Sequence, residues 1–207
     1  MVTRIKVCGH TSPQDAVNSA RLGADAVGFI HGFPRSPRNV DRATAEMIYR
    51  SVPVFCETVP VTNMSAYSDI FRLKPRVVQF VGEPSQARAL QADHPDSVIM
   101  PVVQMGAHPL TAEEVGLFAD FKFVVVDTAS DTGGGSGKPH DWNRTRALSK
   151  EWGNIVLAGG LGPHNVREAI RTVEPYGVDA SSKLESRPGV KDHSKVKKFI
   201  EEARSAG

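Results

Sequence analysis

Short apolar, β-branched runs recur along the chain at Ile5–Cys8, Ala26–Ile30, Val52–Val59, Val77–Val81, Val98–Val103, Phe123–Val126, Ile155–Ala158 and Val178–Ser181. Each is nearly continuous rather than alternating, which suits strands buried on both faces, as in a parallel sheet. Between them the apolar period changes to that of a helix. Ser12-Pro13-Gln14-Asp15 sets a capping residue before Pro, with an acid three positions after the cap, and Ala16, Val17 and Ala20 continue as a stripe. Thr111 and Glu114 repeat that arrangement ahead of Phe118. Val166, Ala169, Ile170 and Val173 keep i, i+3, i+4, i+7 spacing, as do Val196, Phe199, Ile200 and Ala203. Strand and helix therefore alternate, with strand starts roughly 20 to 30 residues apart, a spacing that suits βα units. Eight such units predict an α/β fold, a (β/α)8 barrel of parallel strands, with residues 1–207 forming a single compact domain. An open doubly wound sheet is the structural alternative. It usually carries a Gly-rich turn after its first strand, and Gly9-His10-Thr11-Ser12 is no dinucleotide fingerprint.

Composition narrows the class. The 207 residues are 40% hydrophobic, and 25 Lys and Arg stand against 23 Asp and Glu, a net charge of +2. Abundant apolar residues and low net charge argue against disorder. The near balance advertises no surface for nucleic acid. No apolar run approaches the roughly 20 residues of a membrane span, and the first residues enter a strand pattern without a signal-peptide core. A cytoplasmic protein is the expectation. With only two cysteines, Cys8 and Cys56, a disulfide framework is excluded by count, and without a Cys-x-x-Cys pair a thioredoxin-like motif and a zinc ribbon are absent. The seven histidines form no His-x-His or His-x-x-x-His pair, and nothing points to a metal or a cofactor. Cys56, in the middle of the third run, reads as a structural thiol.

In a barrel of this kind the chemistry sits at the C-terminal ends of the strands. Cys8 ends the first run: it is either a buried structural thiol or a base or nucleophile at the barrel mouth. Asp127 follows four apolar residues and is either the cap of a loop or a carboxyl whose pKa, raised by desolvation, suits general acid work. Thr132-Gly133-Gly134-Gly135-Ser136-Gly137-Lys138 lacks the ending of a P-loop, yet its backbone N–H groups can approach an anion closely. Leu157-Ala158-Gly159-Gly160-Leu161-Gly162-Pro163 after strand seven, with Pro163 suited to a first helical turn, and Val178-Asp179-Ala180-Ser181-Ser182 after strand eight are either two tight turns or the two halves of the recurring barrel phosphate site, whose slots they occupy. Arg35-Ser36-Pro37-Arg38 follows strand two: it is either a solvated basic loop or places a guanidinium over the mouth where it can grip a carboxylate. A thiol, a carboxyl, an Arg and a phosphate cradle together point to acid–base chemistry on a phosphorylated, carboxylate-bearing small molecule.

These residues form an ordered set: Lys6-Val7-Cys8-Gly9, Gly23 to Phe29, Ser36-Pro37-Arg38, Val77-Val78-Gln79, Val126-Asp127-Thr128, Gly134-Gly135-Ser136-Gly137, Asp141-Trp142, Leu157 to Leu161, and Val178 to Ser182 with Glu185, Pro188-Gly189 and Lys191-Asp192. In that order and over the whole chain, the sequence resembles the phosphoribosylanthranilate isomerase family of tryptophan biosynthesis. The resemblance implies a (β/α)8 barrel that performs an Amadori rearrangement of N-(5′-phosphoribosyl)anthranilate with no metal or organic cofactor. By the same resemblance, Asp127 is the general acid that opens the furanose ring, and Cys8 is the general base that removes the C2′ proton. Arg38 then positions the anthranilate, and Gly135, Ser136, Gly137, Gly159, Gly160, Ser181 and Ser182 hold the phosphate. The implied partner is a small phosphosugar, with the chain acting as a monomer or a homodimer. Three positions depart from the family pattern. Gln79 is followed by Phe80-Val81-Gly82, so the family's strand-four His is missing; Lys183 replaces a Gly after the Ser pair; and His140 replaces the Phe before Asp141-Trp142. Two alternatives follow: a related isomerase acting on the histidine-pathway aminoaldose, whose class uses two Asp, and a degenerate barrel that binds phosphorylated metabolites without turnover.

Overall fold

A computed structural model describes residues 2–106, 108, 110–128, 141–152 and 154–206. Eight parallel strands close into a barrel in chain order: β1 (Arg4–Val7), β2 (Ala26–Ile30), β3 (Glu57–Thr62), β4 (Val77–Phe80), β5 (Val98–Met105), β6 (Val124–Thr128), β7 (Ile155–Leu157) and β8 (Gly177–Ala180). The register between β8 and β1, with Lys6 opposite Asp179, completes the ring. Helices α1 (Pro13–Arg21), α2 (Arg42–Ser51), α3 (Tyr67–Phe71), α4 (Pro84–Asp93), α5 (Ala112–Gly116), α6 (Trp142–Trp152) and α7 (Val166–Val173) alternate with the strands, and α8 (His193–Arg204) follows the last.

The continuous apolar runs are continuous because each strand serves two layers. Ile5, Val7, Val27, Phe29, Val78, Phe80, Val124 and Val126 face outward into the layer between strands and helices. Val59, Met100, Val102, Val125, Val156 and Ala158 face inward and fill the barrel. In α7 the predicted stripe Val166, Ala169, Ile170 and Val173 is buried, and each large apolar side chain there contributes about 1.5–3 kcal/mol. Ser12 caps α1 by accepting from the Asp15 N–H, with Pro13 as the first helical residue. Thr111 and Glu114 form the expected reciprocal box on α5.

Several expectations change. The third strand begins at Glu57, so Cys56 lies in the loop before it rather than in mid-strand. Pro53 and its neighbours form a turn there, with Val54 and Phe55 exposed at 94% and 102%. The Asp15 carboxylate does not reach back to its cap. It accepts instead from the Lys191 backbone N–H at 3.1 Å and pairs with His193 Nε2 at 2.9 Å, tying α1 to the chain that enters α8. Pro163 precedes α7 by a full turn instead of opening it. A small antiparallel pair, β9 (Glu185–Arg187) and β10 (Val190–Lys191), stands between β8 and α8.

Candidate active site

A cavity of about 440 Å³ opens at the C-terminal ends of the strands. Its wall includes Cys8 beyond β1, Arg35 and Arg38 beyond β2, Gln104 on β5 and Asp127 on β6. Gly159 and Gly160 follow from beyond β7, with Asp179, Ser181 and Ser182 from β8 and beyond it. Every predicted site residue within the described part of the chain therefore meets in one place. Gly135, Ser136, Gly137 and His140 lie outside the described residues.

Asp127 is the next-to-last residue of β6 and pairs in register with Gln104. Its Oδ1 accepts from the Thr128 backbone N–H at 2.7 Å. Burial pushes its carboxyl from 3.8 up to about 6, and the nearby Asp179 charge adds to the rise against the Thr128 N–H and Lys6. Cys8 is 5% exposed, and its backbone N–H donates to the Ala180 carbonyl at 2.9 Å. Burial raises its thiol, while the Lys6 and Lys191 charges pull it back toward ionisation. The sulfur has space because β2 carries Gly28 there: a Cβ at that position would lie 2.8 Å from Cys8 Sγ. Beneath it, Lys6 Nζ donates to Asp179 Oδ2 at 2.7 Å and to Gln79 Oε1 at 3.0 Å inside the barrel.

Arg38 is held as a fork. Its Nε and Nη2 donate to the two oxygens of Glu185 at 2.8 and 2.7 Å, the bidentate geometry that fixes a guanidinium plane. Lys191 Nζ, fully buried, donates to the same carboxylate at 2.9 Å. Burial alone would raise the Glu185 carboxyl, but the Arg38 hydrogen bonds and the Lys191 charge outweigh it and hold it below its ordinary value. The β9–β10 pair thus carries the support of Arg38: Glu185 begins β9 and Lys191 ends β10.

The loop after β7 turns through Gly159 at φ +88°, where a Cβ would collide with Thr128 Oγ1 and reach the Thr128 backbone N at 2.5 Å. Asn165 braces this loop, accepting from the Gly162 N–H at 2.8 Å and donating to the Gly160 carbonyl at 3.1 Å. The loop after β8 supplies the Ser181 and Ser182 hydroxyls. These two adjacent loops line one side of the cavity with Gly and Ser residues, and the Lys191 ammonium reaches Ser181 from behind at 3.4 and 3.5 Å. Of the departures in sequence, Val81 lines the cavity with an apolar side chain, and Phe80 is buried among the outer apolar layer. Lys183 is exposed on a one-turn helix, Ser182–Leu184, with its Cβ beside Gly162.

The family model for N-(5′-phosphoribosyl)anthranilate isomerase matches residues 5–202. The chain belongs to the phosphoribosylanthranilate isomerase family. It is 42% identical to the N-(5′-phosphoribosyl)anthranilate isomerase of Haloarcula marismortui over 213 residues, covering 99% of this chain and 98% of that one. The crystal structure of phosphoribosyl anthranilate isomerase from Thermotoga maritima superposes with a TM-score of 0.85 at 32% identity, covering 98% and 99% of the two chains. A second isomerase structure of this family holds reduced 1-(o-carboxyphenylamino)-1-deoxyribulose 5-phosphate, and matches with a TM-score of 0.82 at 30% identity over 98% and 99% of the chains.

Sequence reasoning singled out Cys8, Asp127 and Arg38 but gave no role to the residues that hold them. Lys6, Gln79, Asp179, Glu185 and Lys191 all stand in the family-like motifs, and Asn165 does not. A buried Lys paired with a buried Asp across the first and last strands has no local sequence signal, because 173 positions separate the two.

Proposed function

We propose that the protein converts N-(5′-phosphoribosyl)anthranilate to 1-(2-carboxyphenylamino)-1-deoxyribulose 5-phosphate by an Amadori rearrangement. The observation that carries this reading is one cavity lined by the Cys8 thiol, an Asp127 carboxyl raised to about 6, and the Gly- and Ser-bearing loops after β7 and β8. Asp127 protonates the ring oxygen, the C1′–O bond breaks, and the nitrogen lone pair forms the Schiff base. The cationic Schiff base is an electron sink, so the C2′ proton becomes acidic enough for the Cys8 thiolate. The C2′–H electron pair forms the C1′–C2′ double bond as the iminium electrons return to nitrogen. The resulting enolamine becomes the ketose when its hydroxyl loses a proton and C1′ gains one.

A carboxyl near pKa 6 still carries a useful fraction of its proton close to neutral pH, which a general acid requires. Gly159, Gly160, Ser181 and Ser182 hold the phosphate, together with Gly135, Ser136 and Gly137. Arg38 orients the anthranilate carboxylate, and the phosphate supplies binding energy remote from the reacting bonds. As written, the reaction consumes no cofactor. In this reading residues 1–207 act as one catalytic unit, cytoplasmic, as a monomer or a homodimer; sedimentation of the purified protein decides between the last two. A continuous fluorescence assay following loss of the anthranilate substrate tests the activity itself. Substrate loss above the spontaneous rate supports it, and an inactive but folded protein that binds the product contradicts it.

A further inference from the structure

Directly below Cys8 the barrel interior stops being apolar. Lys6, Gln79 and Asp179 reach inward from β1, β4 and β8, and the Lys6 and Asp179 side chains are only 6% and 7% exposed. An ammonium has three donors, and two are taken by Asp179 Oδ2 and Gln79 Oε1. Lys6 and Cys8 are two residues apart along one extended stretch, so both face the interior. A Cβ on Gly28 would lie 3.1 Å from Lys6 Cε and 2.8 Å from Cys8 Sγ, so the end of the lysine and the sulfur converge over the same point. The Lys6 charge acts on the nearby thiol and favours its ionised form.

Packing does not explain this layer. Desolvating an ammonium and a carboxylate is costly, and apolar side chains of similar volume usually stabilise a core at least as well. The arrangement does have a chemical consequence. A base with 5% exposure cannot rely on water to hold its negative charge. We propose that Lys6 is the positioning residue of Cys8: its ammonium, clamped by Asp179 and Gln79, is the fixed counter-charge that lets the thiolate exist in a buried site. The inference rests on the reading of Cys8 as the base. Among the described residues, the other charged groups acting on the thiol are Asp179 on β8, which opposes ionisation, and Lys191 on β10, which favours it. Lys191 is itself paired with Glu185, which Arg38 also holds, and the Lys6 charge acts on the thiol more strongly than the Lys191 charge does. Asp127 faces the same cavity from β6.

The test titrates the thiolate by its ultraviolet absorbance in a Cys56→Ser background, where Cys8 is the only thiol. Lys6→Met raises the Cys8 midpoint by about 1–3 units. Asp179→Asn moves it the other way, because the thiolate becomes the anion left to partner Lys6. If Lys6→Met does not fold, the double variant Lys6→Met/Asp179→Asn removes the buried pair as a whole, and its midpoint lies above that of Asp179→Asn alone. In the folded Lys6 variant, kcat falls at neutral pH and recovers as pH rises, with KM little changed. Midpoints that coincide with the parent in every folded variant overturn the proposal. A Cys8→Ala protein with full turnover overturns the reading of Cys8 as base instead, so the two failures are distinct.

Discussion

Replacing Asp127 with Asn should make the protein more stable, and only above acidic pH. The carboxyl has a folded pKa of about 6 against an ordinary 3.8, so the folded state binds its proton more tightly than the unfolded chain. For a group raised in this way, its contribution to stability is fully present below pH 3.8 and is lost as pH rises through 6. A shift of roughly two units corresponds to about 3 kcal/mol at pH 8, at about 1.4 kcal/mol per unit. At pH 4 the same linkage amounts to only about 0.5 kcal/mol. Asn cannot ionise and its side-chain oxygen can still accept from the Thr128 N–H, so the variant avoids the cost of a desolvated carboxylate. Urea melts of both proteins at pH 4 and pH 8 isolate the effect, because every other titrating group is common to the two. The expected gain is about 2–3 kcal/mol at pH 8, or a Tm rise of roughly 4–12 °C for a chain of this size, and nearly none at pH 4. A variant that is no more stable at pH 8, or a difference that does not change with pH, would mean that the Asp127 carboxyl is not raised in the folded protein.

Three further outcomes follow from other parts of the site. Arg38→Lys loses the fork on Glu185 and the planar grip on a carboxylate, and steady-state kinetics should show KM rising about 10–100-fold with a smaller change in kcat, as expected for a lost charged hydrogen bond. Gly159→Ala places a Cβ against Thr128 in left-handed backbone, and thermal melts should show a loss of about 1–3 kcal/mol, together with weaker inhibition by inorganic phosphate. His10 is fully buried between the Gly28 carbonyl and Ser19 Oγ, and burial first, then the Lys191 charge, hold its pKa down from 6.5 to about 3. Its stabilisation is therefore present above pH 6.5 and is lost as pH falls toward 3. His10→Ala should cost about 2–4 kcal/mol at pH 7 and about 3 kcal/mol less at pH 4 in urea melts; a cost that stays constant between these pH values contradicts the assignment.

The barrel was legible because its strands are apolar on both faces and its helices on one. The eight runs and the α7 and α8 stripes carry that information locally. The third run misled for a physical reason: Val52, Val54, Phe55 and Cys56 have strand-like composition, yet Pro53 lies in a turn that leaves Val54 and Phe55 in solvent. The β9–β10 pair was invisible because its strands are three and two residues long and mostly polar; Pro188-Gly189 was its only cue. Asp15 shows the limit of a local rule, since the box expected with Ser12 loses to partners at Lys191 and His193. Cys8, Asp127 and Arg38 were readable as polar residues at strand ends. Their supports were not, because Lys6–Asp179 and Arg38–Glu185 join positions 173 and 147 apart.

The most direct test of the account is kcat on N-(5′-phosphoribosyl)anthranilate for wild type, Cys8→Ala and Asp127→Asn, each shown to be folded. General acid and general base roles predict losses of about 10²–10⁴ in kcat for each variant. Wild-type kcat in both would contradict the mechanism.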